Sequence, residues 1–159
     1  MVASPDRLAL VPLFSKWIRQ VCEGEPESIL DVGCGFLQPN FKAVFGFRYY
    51  GLNPPWIYTF CDYHGLAEIL PFKDNRFQLV TAFSVVEHLH CPFEAVAEML
   101  RVAQKAVLLT TDFTEGDKNR DVSHMYSWTP VTFKHFLEAH RPNVSVNVES
   151  NIMVGVVKK

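Results

Sequence analysis

Residues 29–32, Ile-Leu-Asp-Val, read as a short buried strand that runs into Gly33-Cys34-Gly35. An apolar run closed by an acid and two glycines constrains the chain more than any other stretch. It marks a strand-to-helix turn with bare backbone at its apex. Two readings stand at this point. The turn is simply tight, or it lets a small ligand lie against the backbone and meet the free N–H groups at the start of the next helix.

The same unit recurs along the chain. Further β-rich runs fall at residues 47–52, 57–61, 78–83 and 106–112, and Asp31, Asn53, Phe83 and Asp112 mark strand ends. Helices are predicted between them. The first opens at Ser4-Pro5-Asp6, carries an apolar face of Leu10, Leu13, Phe14, Trp17, Ile18 and Val21, and stops at Gly24 and Pro26. Others cover residues 40–45, the stretch from Pro92 through Gln104, and Thr129-Pro130 through Ala139. Two closing runs flank Ser150-Asn151 and predict a hairpin. Strands alternating with helices give an α/β fold with a mainly parallel seven-stranded sheet, helices on both faces and an antiparallel hairpin at the end. Ligands of such sheets sit at the carboxyl ends of the strands.

Composition bounds the rest. The chain has 159 residues, 48% of them hydrophobic, enough for one domain (1–159) with a sizeable core, its first 24 residues forming a helix on the sheet. A net charge of −2 offers no global field for nucleic acid. No apolar run approaches the roughly 20 residues of a membrane helix. The N-terminal stretch has no basic region ahead of an apolar core, so no secretory signal is expected. Cys22, Cys34, Cys61 and Cys91 form no Cys-x-x-Cys pair, which predicts reduced thiols and a cytoplasmic protein.

With these residues in place, the chain from about residue 28 onward resembles the class I S-adenosylmethionine-dependent methyltransferases of the small-molecule type. "ILDVGCG" is similar to the family's first motif. "ILPFKDNRFQLVTAFSVVEHLHCPFEAVAEMLRV" is similar to its more specific central stretch, from Leu-Pro-Phe through Glu-His to a Glu-x-x-Arg-Val helix, and "HMYSWTPVTFKHFLEA" to the segment after the fifth strand. The resemblance implies a Rossmann-like three-layer sandwich and S-adenosylmethionine as cofactor. It also implies a cofactor site built from Asp31, Gly33, Cys34, Gly35 and Asn53, with Phe83 and Ser84 beside the methionine and reacting methyl group. Cys34 reads as a small filler of the turn rather than a nucleophile.

Several positions depart from the family pattern. Leu37 stands where the motif has a third glycine. Asn53 replaces the acid that accepts from the ribose hydroxyls, and lacks its charge assistance. The helix between strands two and three is replaced by Pro54-Pro55-Trp56. The adenine-contacting acid maps to Leu66 when counted from Leu70-Pro71-Phe72, or to Asp62 when read from a strand end.

Ser84-x-x-Glu87-His88, followed by His124, is partly similar to a divalent-metal site of quinone O-methyltransferases and small-RNA 2′-O-methyltransferases. Ser84 replaces one oxygen ligand of that pattern, so no metal is expected. His88 and His124 read instead as candidate general bases, since an imidazole suits proton removal near neutral pH. His64 can reach the mouth of the site. The expected activity is methyl transfer to an O, N or C acceptor, most simply a small molecule, with an oligomer or partner completing an otherwise shallow pocket. The alternative is a degenerate relative of the same fold that serves as a scaffold or regulatory subunit.

Overall fold

The computed structural model describes residues 8–57, 59–112 and 123–159. The Ser4-Pro5-Asp6 helix start and the charged stretch 115–121 lie outside the described residues. Seven strands, β1 (Ile29–Val32), β2 (Tyr49–Asn53), β3 (Tyr63–His64), β4 (Phe77–Phe83), β5 (Ala103–Asp112), β6 (Val144–Glu149) and β7 (Ile152–Lys158), form one sheet. Their order is β3-β2-β1-β4-β5-β7-β6. The first five pair in parallel, β7 pairs antiparallel with β5, and β6 pairs antiparallel with β7. Ser150 and Asn151 join the last two strands with φ of 54° and 61°, the doubly left-handed turn that a two-residue hairpin of this twist needs.

Among the described residues four helices cover the sheet: α1 (Val11–Cys22), α2 (Gln38–Phe45), α3 (Pro92–Val102) and α4 (Pro130–Glu138). Alternation along the buried strands divides the core. Leu79, Phe83, Ala106 and Leu108 face α1 and α2, whose Phe14, Trp17, Ile18, Phe41 and Phe45 make that side largely aromatic. Val80, Ala82, Val107 and Leu109 face α3 and α4, which contribute Val96, Met99, Phe133 and Leu137. This is the three-layer Rossmann-like arrangement.

Helix ends follow local chemistry. At the end of α1, Glu23 takes a left-handed φ of 59°, and the N–H groups of Glu23 and Gly24 return to the carbonyls of Gln20 and Arg19. α4 opens with a reciprocal cap: Thr129 Oγ1 accepts from the Thr132 N–H at 3.2 Å, and Thr132 Oγ1 accepts from the Thr129 N–H at 2.8 Å.

The central stretch of the sequence forms a clasp at the amino end of β4. Glu98 Oε2 accepts the Leu70 N–H at 2.9 Å. Arg101 donates to the carbonyls of Leu70 and Phe72 at 3.0 and 2.8 Å, to Asp74 at 2.8 Å and to both oxygens of Glu98. The Arg101 hydrogen bonds hold the Glu98 carboxyl below its ordinary range, outweighing the opposing effect of burial.

Element boundaries shift in several places, among them β5, which begins at Ala103 within the stretch expected to be helical. α2 starts at Gln38 rather than residue 40, with Pro39 in its first turn. Residues 46–48 form a short 3₁₀ turn, so β2 begins at Tyr49 and Phe47 is 80% exposed. The third strand is not residues 57–61 but Tyr63–His64, paired with Leu52 and Asn53. The reason lies in hydrogen bonding. The Ile57 and Thr59 N–H groups turn back to the carbonyls of Pro54 and Ile57, and the edge of β2 is met at Asp62, whose N–H bonds the Gly51 carbonyl at 2.9 Å. No helix among the described residues is long and apolar enough to cross a membrane.

Candidate active site

The turn after β1 sits at the carboxyl end of the sheet, with Gly33 and Gly35 at φ of 73° and 53°. Both glycines are needed for that conformation, which an L side chain strains. Their surroundings differ. A Cβ on Gly33 would lie 2.6 Å from Val85 Cγ2, so its bare backbone admits the loop after β4. A Cβ on Gly35 would find nothing closer than 3.9 Å, so its face is open. The turn is sewn to β2: Gly33 and Cys34 donate to the Leu52 carbonyl at 2.8 and 3.2 Å, and Gly35 donates to Asn53 Oδ1 at 3.0 Å. Cys34 fills the space over Gly51, where a Cβ would meet its sulfur at 2.7 Å, and burial pushes its thiol well above the ordinary range. Leu37 is buried in the aromatic core.

Asp31 lies beneath this turn, 2% exposed, between Gly51 and Thr81 in register. Tyr49 Oη donates to its Oδ2 and Thr81 Oγ1 to its Oδ1, the latter at 2.8 Å. Burial raises its pKa to about 7, against the lowering effect of those two hydrogen bonds. Asp31 thus ties β1, β2 and β4 together from behind the turn.

Asn53 is fully buried. Besides accepting from Gly35, its amide donates to Thr59 Oγ1 at 2.6 Å, which draws the 54–62 loop over the turn. Asp62 stands before β3 rather than at its end. Its carboxylate accepts from Gln38 Nε2 and the Gly51 N–H, each at 2.9 Å, and pairs with Lys42 at 3.0 Å. Leu66, past the end of β3, is 38% exposed.

Between the turn and that loop opens a cleft of about 500 Å³, lined by Gly35, Phe36, Pro39, Thr59, Phe60 and His64. This volume lies within the range of small-ligand pockets. Phe60 is 88% exposed at its rim. Sequence reasoning missed Phe36, Pro39, Thr59 and Phe60. Phe60 falls in the stretch expected as the third strand, and the Thr59–Asn53 hydrogen bond brings it to the glycine turn.

β4 and the segment before α4 carry the remaining site residues expected from the sequence. Phe83 is buried, stacked on Phe14 of α1 with centroids 4.2 Å apart and on Phe41. Ser84 follows it with φ of 53°, its N–H bonded to the carbonyl and Oγ1 of Thr110 at 3.0 and 3.1 Å. That conformation in a serine stores about 1 kcal/mol or more. The next residues wind into a short 3₁₀ turn, Val86–His88. It brings His88 to His124, with ring centroids 4.7 Å apart and planes at 74°.

A family model described as a methyltransferase domain matches residues 30–110. This chain belongs to that methyltransferase-domain family, whose cofactor is S-adenosylmethionine. Similar solved structures agree on the fold. One is an S-adenosylmethionine-dependent methyltransferase from Aquifex aeolicus, 20% identical, with a TM-score of 0.69 over 98% of this chain and 93% of that one. Another is the small RNA methyltransferase HEN1, 14% identical with a TM-score of 0.71, of which this chain covers 25% while 93% of this chain is matched. A third comes from the complex between the Haloferax volcanii Trm112 methyltransferase activator and a methyltransferase, 12% identical, TM-score 0.64, covering 95% and 93%. No curated protein matches the chain in sequence.

Proposed function

We propose that the chain, acting as one domain over residues 1–159, transfers a methyl group from S-adenosylmethionine to an O, N or C acceptor of small-molecule size. The observation that carries this is the cleft beside the open face of Gly35, at the carboxyl end of β1. Its residues fit a nucleoside: two aromatic rings, Phe36 and Phe60, offer flat apolar faces for a base. Leu66 stands at the position for the adenine edge, so apolar packing takes the place of a carboxylate there. Asn53 and Asp62 act by holding the walls of the cleft, Asn53 through Gly35 and Thr59, Asp62 through Gln38 and Gly51. Bound S-adenosylmethionine supplies a methyl already activated on a sulfonium, so no covalent enzyme intermediate is required. What remains for the protein is alignment and exclusion of water. Phe83 and Ser84 border the reacting end, and His88 or His124 takes the acceptor's proton.

Phe60 at the rim of the cleft is 88% exposed, and Trp56 and Ile69, between β2 and β4, are 65% and 72% exposed, which supports a partner or second copy that completes the acceptor wall. The four thiols are free, as a cytoplasmic protein requires. A second reading, a scaffold of this fold without activity, is favoured by one observation: the N–H groups of Gly33, Cys34 and Gly35 are all bonded to β2, and Val85 covers Gly33. Calorimetric titration with S-adenosylmethionine and its demethylated product separates the two. Saturable binding of both supports the enzyme; a folded protein that binds neither at millimolar concentration is the scaffold.

A further inference from the structure

A second cavity, of about 320 Å³, opens at the amino end of the sheet, the end away from the cleft at Gly35. Ala97, Leu100 and Arg101 of α3 line it, together with Asp74 ahead of β4, His140 and Arg141 after α4, and Lys159 after β7. Its charges are not balanced. Arg101 is spent on the clasp, its N–H groups going to Leu70, Phe72, Asp74 and Glu98. Arg141 gives one N–H to the His140 carbonyl at 3.3 Å and forms no ion pair among the described residues. Lys159 Nζ is held by Asn75 Oδ1 and, at 3.0 Å, by the Ala103 carbonyl, which fix the ammonium without cancelling its charge. Lys105 and Lys158, exposed at the same end, add to this positive field. Burial, and after it the Arg141 charge, hold the His140 imidazole below its ordinary pKa, against the raising effect of Glu94. The wall beside Arg141 is therefore a neutral ring at neutral pH, packed on Phe93 and Phe136 with centroids 5.6 and 5.7 Å away.

We propose that this cavity binds a small organic phosphate, with Arg141 gripping the phosphoryl oxygens and Lys159 supplying a fixed charge beside them. A guanidinium offers paired N–H groups whose spacing matches two oxygens of one phosphate, and Arg141 has such groups to spare. A dianion answers both unpaired cations, whereas a carboxylate answers only one. The one carboxylate lining the cavity, Asp74, is bonded by Arg101 at 2.8 Å, which offsets its repulsion of an anion. Ala97, Leu100 and the His140 ring give the organic remainder an apolar wall. The volume is at the lower end of small-ligand pockets and exceeds what a bare phosphate fills. A ligand here touches α3, the end of α4 and the end of β7 at once, so it braces the clasp end of the fold. The site is independent of the methyl-transfer reading, because the cleft at Gly35 lies at the opposite end of the strands.

The test is titration of the full chain with phenyl phosphate, read by amide nitrogen–proton NMR, with benzoate and inorganic phosphate as comparison probes. Saturable shifts are expected at residues 97–101, 140–141 and 158–159. Phenyl phosphate is expected to bind more tightly than either comparison probe and to raise the melting temperature as its concentration rises. Arg141→Ala is expected to weaken binding by roughly 10-fold or more, and Lys159→Ala by less. Lys134→Ala, on α4 but paired with Glu138, is expected to change nothing. Arg141→Gln replaces Arg141→Ala if circular dichroism shows the alanine form unfolded. Shifts that do not saturate, or an affinity that the folded Arg141 variant retains, overturn the proposal. Benzoate binding as tightly as phenyl phosphate overturns the phosphoryl assignment. Titrating the same samples with S-adenosylhomocysteine separates this site from the cleft: Arg141→Ala is expected to bind it like the wild type, and impaired binding there overturns the independence of the two sites.

Discussion

The clasp at the amino end of β4 and the glycine turn at the carboxyl end of β1 are both built from the most family-like stretches of the sequence, and they do opposite things. At the clasp, every polar group of Glu98 and Arg101 is spent on the protein itself: on Leu70, Phe72, Asp74 and each other. At the turn, the protein satisfies the backbone yet leaves one face of Gly35 bare beside a cleft. Part of a specific motif can therefore be spent on architecture, while the weaker motif borders the open cleft. The central stretch certifies the fold; the cleft beside Gly35 is where a ligand has room.

Substitutions can break this contrast, and the largest effect is expected at Gly33. A valine there meets Val85 at once, in a left-handed conformation, so Gly33→Val is expected to cost roughly 3–5 kcal/mol of folding stability, most of what a small domain has. Denaturant unfolding checks it. A stable Gly33→Val protein that merely fails to bind cofactor would instead place the ligand, not Val85, against Gly33.

Arg101→Ala comes next. It strips hydrogen bonds from two carbonyls and two carboxylates on a partly exposed side chain, an expected loss of roughly 2 kcal/mol in urea denaturation. Cofactor affinity per folded molecule is expected to stay at the wild-type value. A folded Arg101→Ala protein with impaired binding would erase the distinction between clasp and turn.

Asp31 gives a pH-dependent effect. Burial lifts its folded pKa to about 7, above the 3.8 ordinary for an aspartate. Between those values the folded state keeps a proton that the unfolded state has released, so stability falls as pH rises through the window. Asp31→Asn is expected to flatten this part of the thermal-melting profile. An unchanged profile in the asparagine variant would assign the pH dependence to another group.

The smallest effect sharpens the cleft. Leu66 is partly exposed past the end of β3, so Leu66→Asp adds a charged acceptor with little burial. It is expected to tighten binding of S-adenosylhomocysteine by about 1 kcal/mol in calorimetry. Unchanged or weaker binding would put the adenine edge elsewhere.

Much of the fold was legible because it is written locally. Continuous apolar, β-rich runs gave β1, β4 and β5, proline and threonine gave the start of α4, and Ser150-Asn151 gave the hairpin. β3 was not, because it is two residues long and exists only through its pairing with Leu52 and Asn53. The candidate site was legible in its glycines and its histidine pair but not in how they are held. That Tyr49 and Thr81 would occupy the carboxylate of Asp31 depends on three strands meeting in one register. That Asn53 would clamp Gly35 and Thr59, and Asp62 reach back to Gly51, depends on a loop whose path two prolines redirect. Side-chain hydrogen bonds between residues far apart in sequence leave no periodic trace.

The central claim is that the cofactor lies in the cleft between Gly35 and the loop after β2. Hydrogen exchange of the backbone amides, with and without saturating S-adenosylhomocysteine, tests it most directly. Protection is expected to rise at residues 35–39 and 59–66, with no change at residues 98–101 of the clasp. Unaltered exchange at 35–39 and 59–66 in a folded protein, or protection confined to another part of the surface, would contradict it.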